Sequence, residues 1–378
     1  MPAQTGDLGI FRSIIGPWYE SLKNPAQSQS RVLPELVRDY GKTRYGKAHR
    51  ASDIEDITDF RSSFPILRYS ELGPYLAEVK RGDYRAILPE PLVCWVMTRG
   101  STGVAKVLPA TRKHLEQILL CGARALINYA HRKRNSGIIS GRILNLNFPS
   151  VINEISTGRK TMTYGYSSGT YARLNPAFGK VSLLPVQDEI DALGPGIAKA
   201  DWRRRFELVY KKALEENITA AMGVTPVILS FARYVNEAHG KKPKDLWDIQ
   251  ALFCTSVRKI QFKYAPILKK YFGEAAVVEM YSATEGVFAQ QIDDLPYVTP
   301  NYDKYLFEVR TGKDVRMLHE LKRGEWGSLI VSSCLFPRYD IGDLIEAAGK
   351  DYFRVFGRRK LSTLVEHRLY RLLFRSFL

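Results

Sequence analysis

The sequence predicts an α/β protein with layered, partly parallel sheets and a small β subdomain near its C-terminal end. Two observations carry this. Between about Val93 and Met280, short apolar runs alternate with segments of helical period, the pattern of strands joined by helical crossovers. From Tyr305 to Phe356 the strand-like runs are shorter and no helical segment separates them. With 378 residues, 45% of them hydrophobic and 25% charged, the chain can bury a sizeable core without disulfides or a structural metal. That balance excludes a collagen-like, low-complexity or wholly disordered chain.

Taken in order, residues 9 to 50 read as helical, with Val32, Leu33, Leu36, Val37 and Tyr40 at helical spacing. A helix near Ser70 follows, its apolar side made by Leu72, Tyr75, Leu76 and Val79. Val93 to Met97 is an apolar run that suits a buried strand, and Val107-Leu108-Pro109 suits a second. Thr111 is placed to cap a helix through about Arg132, with Leu115, Ile118, Leu119, Leu126 and Ile127 on one face. Beyond it, strands are expected over Arg142 to Phe148, Ala220 to Val224, Ala251 to Cys254 and Ala276 to Met280. Helices are expected over Asp201 to Glu216, from Val224 to about His239, and over Ile260 to Phe272. No internal repeat and no linker is evident.

The 56 Lys and Arg against 39 Asp and Glu leave a net charge of +17, which attracts polyanions: nucleotides, nucleic acid or an acidic membrane surface. Charge does not choose among these. The clusters His131-Arg132-Lys133-Arg134, Arg203-Arg204-Arg205 and Lys241-Lys242-Pro243-Lys244 each read most simply as solvated surface. Cys94, Cys121, Cys254 and Cys334 are far apart and form no Cys-x-x-Cys pair; reduced, buried thiols in a cytoplasmic protein are the expectation. The start of the chain lacks a signal-peptide pattern, and no apolar run is long enough for a transmembrane segment. The six histidines show no metal-ligand spacing, and a Rossmann glycine fingerprint is absent.

Three stretches carry chemistry. Thr98-Arg99-Gly100-Ser101-Thr102-Gly103-Val104-Ala105-Lys106 lies between two strand-like runs. Glycine lets backbone N–H groups approach an anion, hydroxyls add donors, and Lys106 adds positive charge, so the loop suits phosphate oxygens. It is not a Walker A sequence, because the Gly-to-Lys spacing differs and no Ser or Thr follows Lys106. Tyr281-Ser282-Ala283-Thr284-Glu285-Gly286 follows an apolar strand, where parallel sheets place ligands. There an aromatic ring, a hydroxyl and a carboxylate suit a base, a phosphate and a metal ion. Tyr339-Asp340-Ile341-Gly342-Asp343, with Gly357-Arg358 after it, offers a carboxylate for ribose hydroxyls and a cation for ribose or phosphate. Each stretch alone also reads as an ordinary turn.

Their order resembles the adenylate-forming superfamily, and within it the auxin-responsive family of acyl-acid amido synthetases and its microbial relatives. The lead-in supports this: Thr43-Arg44-Tyr45-Gly46-Lys47, Ile57-Thr58-Asp59-Phe60-Arg61, Phe64-Pro65-Ile66, Tyr69-Ser70-Glu71-Leu72 and Arg81-Gly82-Asp83. The resemblance runs from about residue 31 to about residue 358 and separates this branch from phenylacetate–CoA ligases only moderately. It implies a large adenylate-forming (AMP-binding) domain over 1–358. It also implies ATP and Mg²⁺ as cofactors, a small carboxylic acid as substrate and an amine or thiol as acceptor. By resemblance, Thr98, Gly100, Ser101, Thr102, Gly103 and Lys106 belong to the phosphate loop, with Ser101, Thr102, Gly103 and Lys106 on the β- and γ-phosphates. Tyr281 lies against adenine in a segment with Ser282 and Ala283. Thr284 contacts the α-phosphate, Glu285 holds Mg²⁺, and Asp343 binds the ribose with Arg358 nearby. Lys106, Thr284, Glu285 and Arg358 are the expected catalytic set.

Two local departures stand out. Arg99 occupies a position where the family carries a small hydroxyl residue, and Cys254-Thr255-Ser256-Val257 occupies the place of a glycine-rich adenine wall. Only 20 residues follow Arg358, so the C-terminal lid domain of the superfamily is expected to be absent. Residues 359–378 read as a short basic amphipathic tail where that domain would begin, its apolar side covered by a partner or a missing segment. Two other functions compete: a lid-less relative that binds nucleotide or acyl-adenylate without turnover, and a nucleic-acid or membrane-surface protein that rests on charge alone. Gly165-Tyr166-Ser167-Ser168-Gly169 fits the Gly-x-Ser-x-Gly hydrolase pattern. Pro176 follows soon after and no helix is expected there, so lining an acyl pocket or forming a loop is the better reading.

Overall fold

A computed structural model describes residues 5–100, 105–178, 182–359, 362–365 and 367. The chain divides into two compact units, one made of residues 1–16 and 92–292, the other of 17–91 and 293–378.

The first unit holds two sheets. The smaller runs β2-β1-β5-β4, built from β1 (Leu92–Met97), β2 (Val107–Thr111), β4 (Asn153–Thr157) and β5 (Lys160–Tyr166). β1 is antiparallel to β2 and parallel to β5. Within this unit the larger sheet has the order β10-β9-β8-β7-β3-β6. Its strands are β3 (Arg142–Asn145), β6 (Leu183–Leu184), β7 (Ile218–Val224), β8 (Ala251–Thr255), β9 (Ala276–Ala283) and β10 (Gly286–Gln290). All neighbours are parallel except β10, which returns antiparallel along β9. Near-continuous apolar strands such as Ala251-Leu252-Phe253-Cys254 mark a sheet covered on both faces. On one face Leu252 and Cys254 join Phe206, Val209, Ile228, Phe231 and Leu268, which come from the helices Lys199–Ala213, Thr225–His239 and Ala265–Phe272. Phe253 points to the other face and meets Tyr129 of the Arg112–Arg132 helix edge-on at 6.4 Å.

Local chemistry sets these elements. The Thr111 hydroxyl caps the Arg112–Arg132 helix by accepting the His114 N–H at 3.3 Å. Leu115, Ile118, Leu126 and Ile127 are buried as their spacing predicts, while Leu119 is half-buried. The segment expected as one helix from Ile260 opens instead with a π-helical turn, Ile260–Tyr264, before regular helix resumes. Arg205 corrects the reading of its cluster as solvated surface: it is 1% exposed and donates to the Gly194 and Gly196 carbonyls, both at 2.6 Å. A guanidinium that fills loop carbonyls in this way is a fastener rather than a surface charge.

The second unit carries the predicted β subdomain, an antiparallel sheet of order β13-β12-β14-β15-β16. These are β12 (Leu306–Thr311), β13 (Asp314–Met317), β14 (Trp326–Ser332), β15 (Tyr339–Gly349) and β16 (Tyr352–Arg358), preceded by a two-residue strand β11 (Thr299–Pro300). The Pro25–Tyr40 helix packs its buried Val32, Leu33, Leu36, Val37 and Tyr40 in this unit, and Gln29 donates to the carbonyls of Tyr302 and Tyr305 at 2.8 Å each. The lead-in motifs are tied together by ion pairs. Arg44 bridges Glu78 and Asp83. Arg338, 5% exposed, pairs with fully buried Glu308 at 3.0 Å, donates to the carbonyls of Arg61 and Phe64, and shares Glu308 with the Arg61 side chain. All four cysteines are buried and none forms a disulfide. No helix among the described residues is long and apolar enough to cross a membrane. Most of the basic tail over 359–378 lies outside the described residues.

Candidate functional site

The first unit brings two of the three predicted stretches together. β1 and β2 form a hairpin whose last closing pair is Thr98 and Lys106. The Thr98 N–H donates to the Lys106 carbonyl at 2.9 Å, and Thr98 Oγ1 accepts the Lys106 N–H at 2.9 Å. The candidate phosphate loop therefore leaves from and returns to a pinned pair of residues. Gly100 adopts φ +66°, a conformation glycine takes without strain. Ser101, Thr102 and Gly103 lie outside the described residues. The Arg99 guanidinium sits 5.7 Å over the Phe148 ring, so this departure from the family pattern is stacked on an aromatic face.

The second stretch splits between strand and turn. Tyr281, Ser282 and Ala283 end β9, Thr284 and Glu285 form a two-residue turn, and Gly286 opens β10 opposite Ala283. The turn thus stands beyond the carboxyl end of a parallel strand. Thr284 and Glu285 are each 7% exposed. Lys106 Nζ lies 3.8 Å from Glu285 Oε1, which joins the hairpin base to the Thr-Glu turn. Tyr281 is buried with its ring 5.6 Å from Phe288. The Ser282 hydroxyl is held by Thr255 Oγ1 at 2.7 Å. Directly after β8, Ser256 has φ +76°, so a serine holds a glycine-like conformation where the family resemblance leads one to expect glycines. Burial pushes the Cys254 thiol up to about 12, which leaves it unreactive.

Two residues around the turn escape the sequence reading, Tyr171 and His114, and they are joined there by Ser167 of the Gly-x-Ser-x-Gly stretch. Thr284 Oγ1 donates to Ser167 Oγ at 3.1 Å, the Tyr171 hydroxyl donates to the Thr284 carbonyl at 2.7 Å, and His114 Nε2 lies 3.3 Å from the Tyr171 hydroxyl. The sequence reads the Ser167 stretch as lining an acyl pocket or forming a loop. The expectation that no helix follows that pattern is overturned, since β5 runs straight into a Ser167–Phe178 helix. Pro176 falls in the last turn of that helix, where it removes one N–H from the ladder just before the helix ends at Phe178. The flanking glycines have a packing reason. A Cβ on Gly165 would lie 2.4 Å from the Ser150 carbonyl carbon, and one on Gly169 would lie 1.9 Å from the Phe148 oxygen. Among the described residues the Ser167 hydroxyl meets the Thr284 hydroxyl and not an imidazole.

The third stretch is assembled in the second unit. Asp343 on β15 faces Arg358 on β16, with Arg358 Nε donating to Asp343 Oδ1 at 3.0 Å. Gly342 has φ +83°, and the buried Asp340 accepts its N–H at 2.9 Å. Asp340 also accepts from Ser328 at 3.0 Å and pairs with Arg310 at 2.8 Å. Asp340 is therefore committed to holding the bend that presents Asp343, and Asp343 is left as the carboxylate beside Arg358.

Among the described residues no three His, Cys, Asp or Glu side chains converge as a metal cage. Glu285 nevertheless fits Mg²⁺ of the kind that rides on a nucleotide, which takes one or two carboxylates and completes its shell from phosphate oxygens and water.

Comparison with solved structures identifies the fold, which is shared with adenylate-forming enzymes. The acyl acid amido synthetase AtGH3.15, in complex with 2,4-DB, superposes with a TM-score of 0.73 at 15% identity, over 93% of this chain and 71% of that one. A 2-hydroxyisobutyryl-CoA ligase in complex with 2-HIB-AMP and CoA superposes with a TM-score of 0.62 at 15% identity, over 87% of this chain and 74% of that one. Residues 16–190 match the family model described as the GH3 family N-terminal domain. Indole-3-acetic acid-amido synthetase GH3.2 of Arabidopsis thaliana is 28% identical over 100 residues, which is 26% of this chain and 18% of that enzyme's length.

Proposed function

We propose that this chain activates a small carboxylic acid as its acyl-adenylate and is an adenylate-forming ligase of the acyl-acid amido synthetase type. The observation that carries the proposal is the 3.8 Å approach of Lys106 to Glu285, which puts the cation of the glycine–hydroxyl loop beside the carboxylate of the Thr-Glu turn. In the reaction a substrate carboxylate oxygen attacks the α-phosphorus of ATP, the bond to the β-phosphate oxygen breaks, and pyrophosphate leaves with the electron pair. An acceptor amine then attacks the acyl carbon, AMP departs, and the amine proton passes to solvent or a base. A thiol acceptor follows the same course, as in the CoA ligase that shares the fold.

Catalysis of this kind rests on position and on neutralising charge. Lys106, with the hydroxyls and N–H groups of Thr98, Gly100, Ser101, Thr102 and Gly103, would hold the β- and γ-phosphates. Thr284 would hold the α-phosphate. Tyr281, with the Ser282–Ala283 backbone, would flank adenine, and Asp343 with Arg358 would take the ribose. Glu285 would hold Mg²⁺, which supplies positive charge against the phosphate oxygens. The test is carboxylate-dependent exchange of labelled pyrophosphate into ATP across a panel of aryl, indolyl and aliphatic acids. Exchange with at least one acid is expected. A folded, ATP-stabilised protein that exchanges with none would instead be a nucleotide-binding relative without turnover.

A further inference from the structure

We propose that Tyr171 and His114 are a positioning pair that fixes the Thr284–Glu285 turn for adenylate formation; the catalytic consequence rests on the ligase reading above, the geometry does not. Thr284 is held at two points by one helix. Ser167 and Tyr171 stand four residues apart on the Ser167–Phe178 helix, hence on one face, and they engage the Thr284 hydroxyl and carbonyl at 3.1 and 2.7 Å. Anchoring a residue through both side chain and carbonyl leaves its turn one orientation, and with it the Glu285 carboxylate that follows.

His114 completes the link. The single proton of the Tyr171 hydroxyl is spent on the Thr284 carbonyl, so at 3.3 Å His114 Nε2 must be the donor to the Tyr171 oxygen. This sets a neutral Nε2–H imidazole, whose buried Nδ1 has no hydrogen-bond partner. Burial agrees, holding the imidazole down at about 4 against the opposing pull of the Thr284 carbonyl. His114 sits in the first turn of the helix that leaves β2, the strand that follows Lys106. The pair therefore ties the frame of the phosphate hairpin to the Thr-Glu turn, and His114 acts on Tyr171 and the Thr284 carbonyl rather than on a substrate.

The test compares Tyr171→Phe, His114→Leu and His114→Gln, the last of which retains an N–H near the Nε2 position. Deuterium uptake by the peptide spanning 280–290 is measured first, without substrate. Loss of the tyrosine hydroxyl is expected to speed exchange in the turn roughly tenfold, the effect of one hydrogen bond, while other peptides stay at wild-type rates. His114→Leu should follow and His114→Gln should be largely restored. In pyrophosphate exchange kcat should fall about tenfold in the two loss variants, with KM for the carboxylic acid within twofold of wild type. Wild-type uptake in the turn of Tyr171→Phe overturns the positioning role, whether or not the protein proves to be a ligase. If Tyr171→Phe loosens the whole fold, the two His114 variants decide: equal behaviour overturns the proposal, rescue by glutamine sustains it. Absence of exchange in the wild type removes the ligase reading and leaves the deuterium result to judge the geometry.

Discussion

Lys106 and Glu285 are close enough for attraction and too far apart for a direct hydrogen bond, at 3.8 Å. Replacing Lys106 by Ala should lower pyrophosphate exchange by about 10²-fold, the scale on which one lost charge-stabilising donor acts. Because the Lys106 side chain is only 25% exposed and Glu285 beside it is nearly buried, a lower melting temperature should accompany that loss, so exchange is read at a temperature where the variant is folded. Glu285→Gln should show a comparable loss that added Mg²⁺ does not restore. Glu279, two residues before Tyr281, makes a separate prediction. Burial raises its carboxyl to about 7, so between its ordinary value and that point the folded state keeps a proton that the unfolded chain releases. Its burial thus weakens the fold progressively as pH rises from about 4.5 toward 7. Glu279→Gln should therefore gain stability over wild type as pH rises through that window, read as a difference in melting temperature larger at pH 8 than at pH 5. A difference independent of pH would remove this account.

At the scale of elements, the site depends on where chain segments cross. The Ser167–Phe178 helix can supply Ser167 and Tyr171 to the Thr-Glu turn because its start lies against the segment of Phe148 and Ser150. Gly169→Ala would push a methyl group to 1.9 Å from the Phe148 oxygen, a backbone atom that cannot rotate away. It should destabilise the fold by about 1–3 kcal/mol and reduce exchange as well, checked by chemical denaturation alongside the assay. The strands and helices themselves were largely legible, because apolar runs and 3.6-residue spacing are local properties of the sequence. Thr111 is an example: one capping hydroxyl before an amphipathic stretch located the start of the Arg112–Arg132 helix. The Gly-x-Ser-x-Gly segment is the counter-example. Its glycines answer to a neighbouring backbone, and its serine to a threonine 117 residues away. A helix that begins with two serines and carries Pro176 offers little periodicity to read.

At the scale of the molecule, the net charge of +17 favours encounter with a polyanionic nucleotide. KM for ATP should rise as NaCl is increased from 50 to 500 mM, since screening shortens the reach of that field to a few ångströms, while kcat for exchange should change far less. A KM insensitive to salt would mean that the field has no part in substrate capture. The buried Arg205 and Arg338 are a reminder that part of this charge is internal and satisfied by carbonyls or carboxylates, so not every arginine contributes to a surface potential.

The sequence by itself determined the order of the elements, the three stretches that carry chemistry and the family they resemble, because these are written in local spacing and in residue type. The tertiary structure alone decided which side chains meet: Lys106 with Glu285, Arg358 with Asp343, and Ser167, Tyr171 and His114 around Thr284. The physical reason is that a hydrogen bond or ion pair is set by positions in space. Tyr171 and Thr284 are separated by 113 residues, and no periodicity along the chain records their 2.7 Å contact.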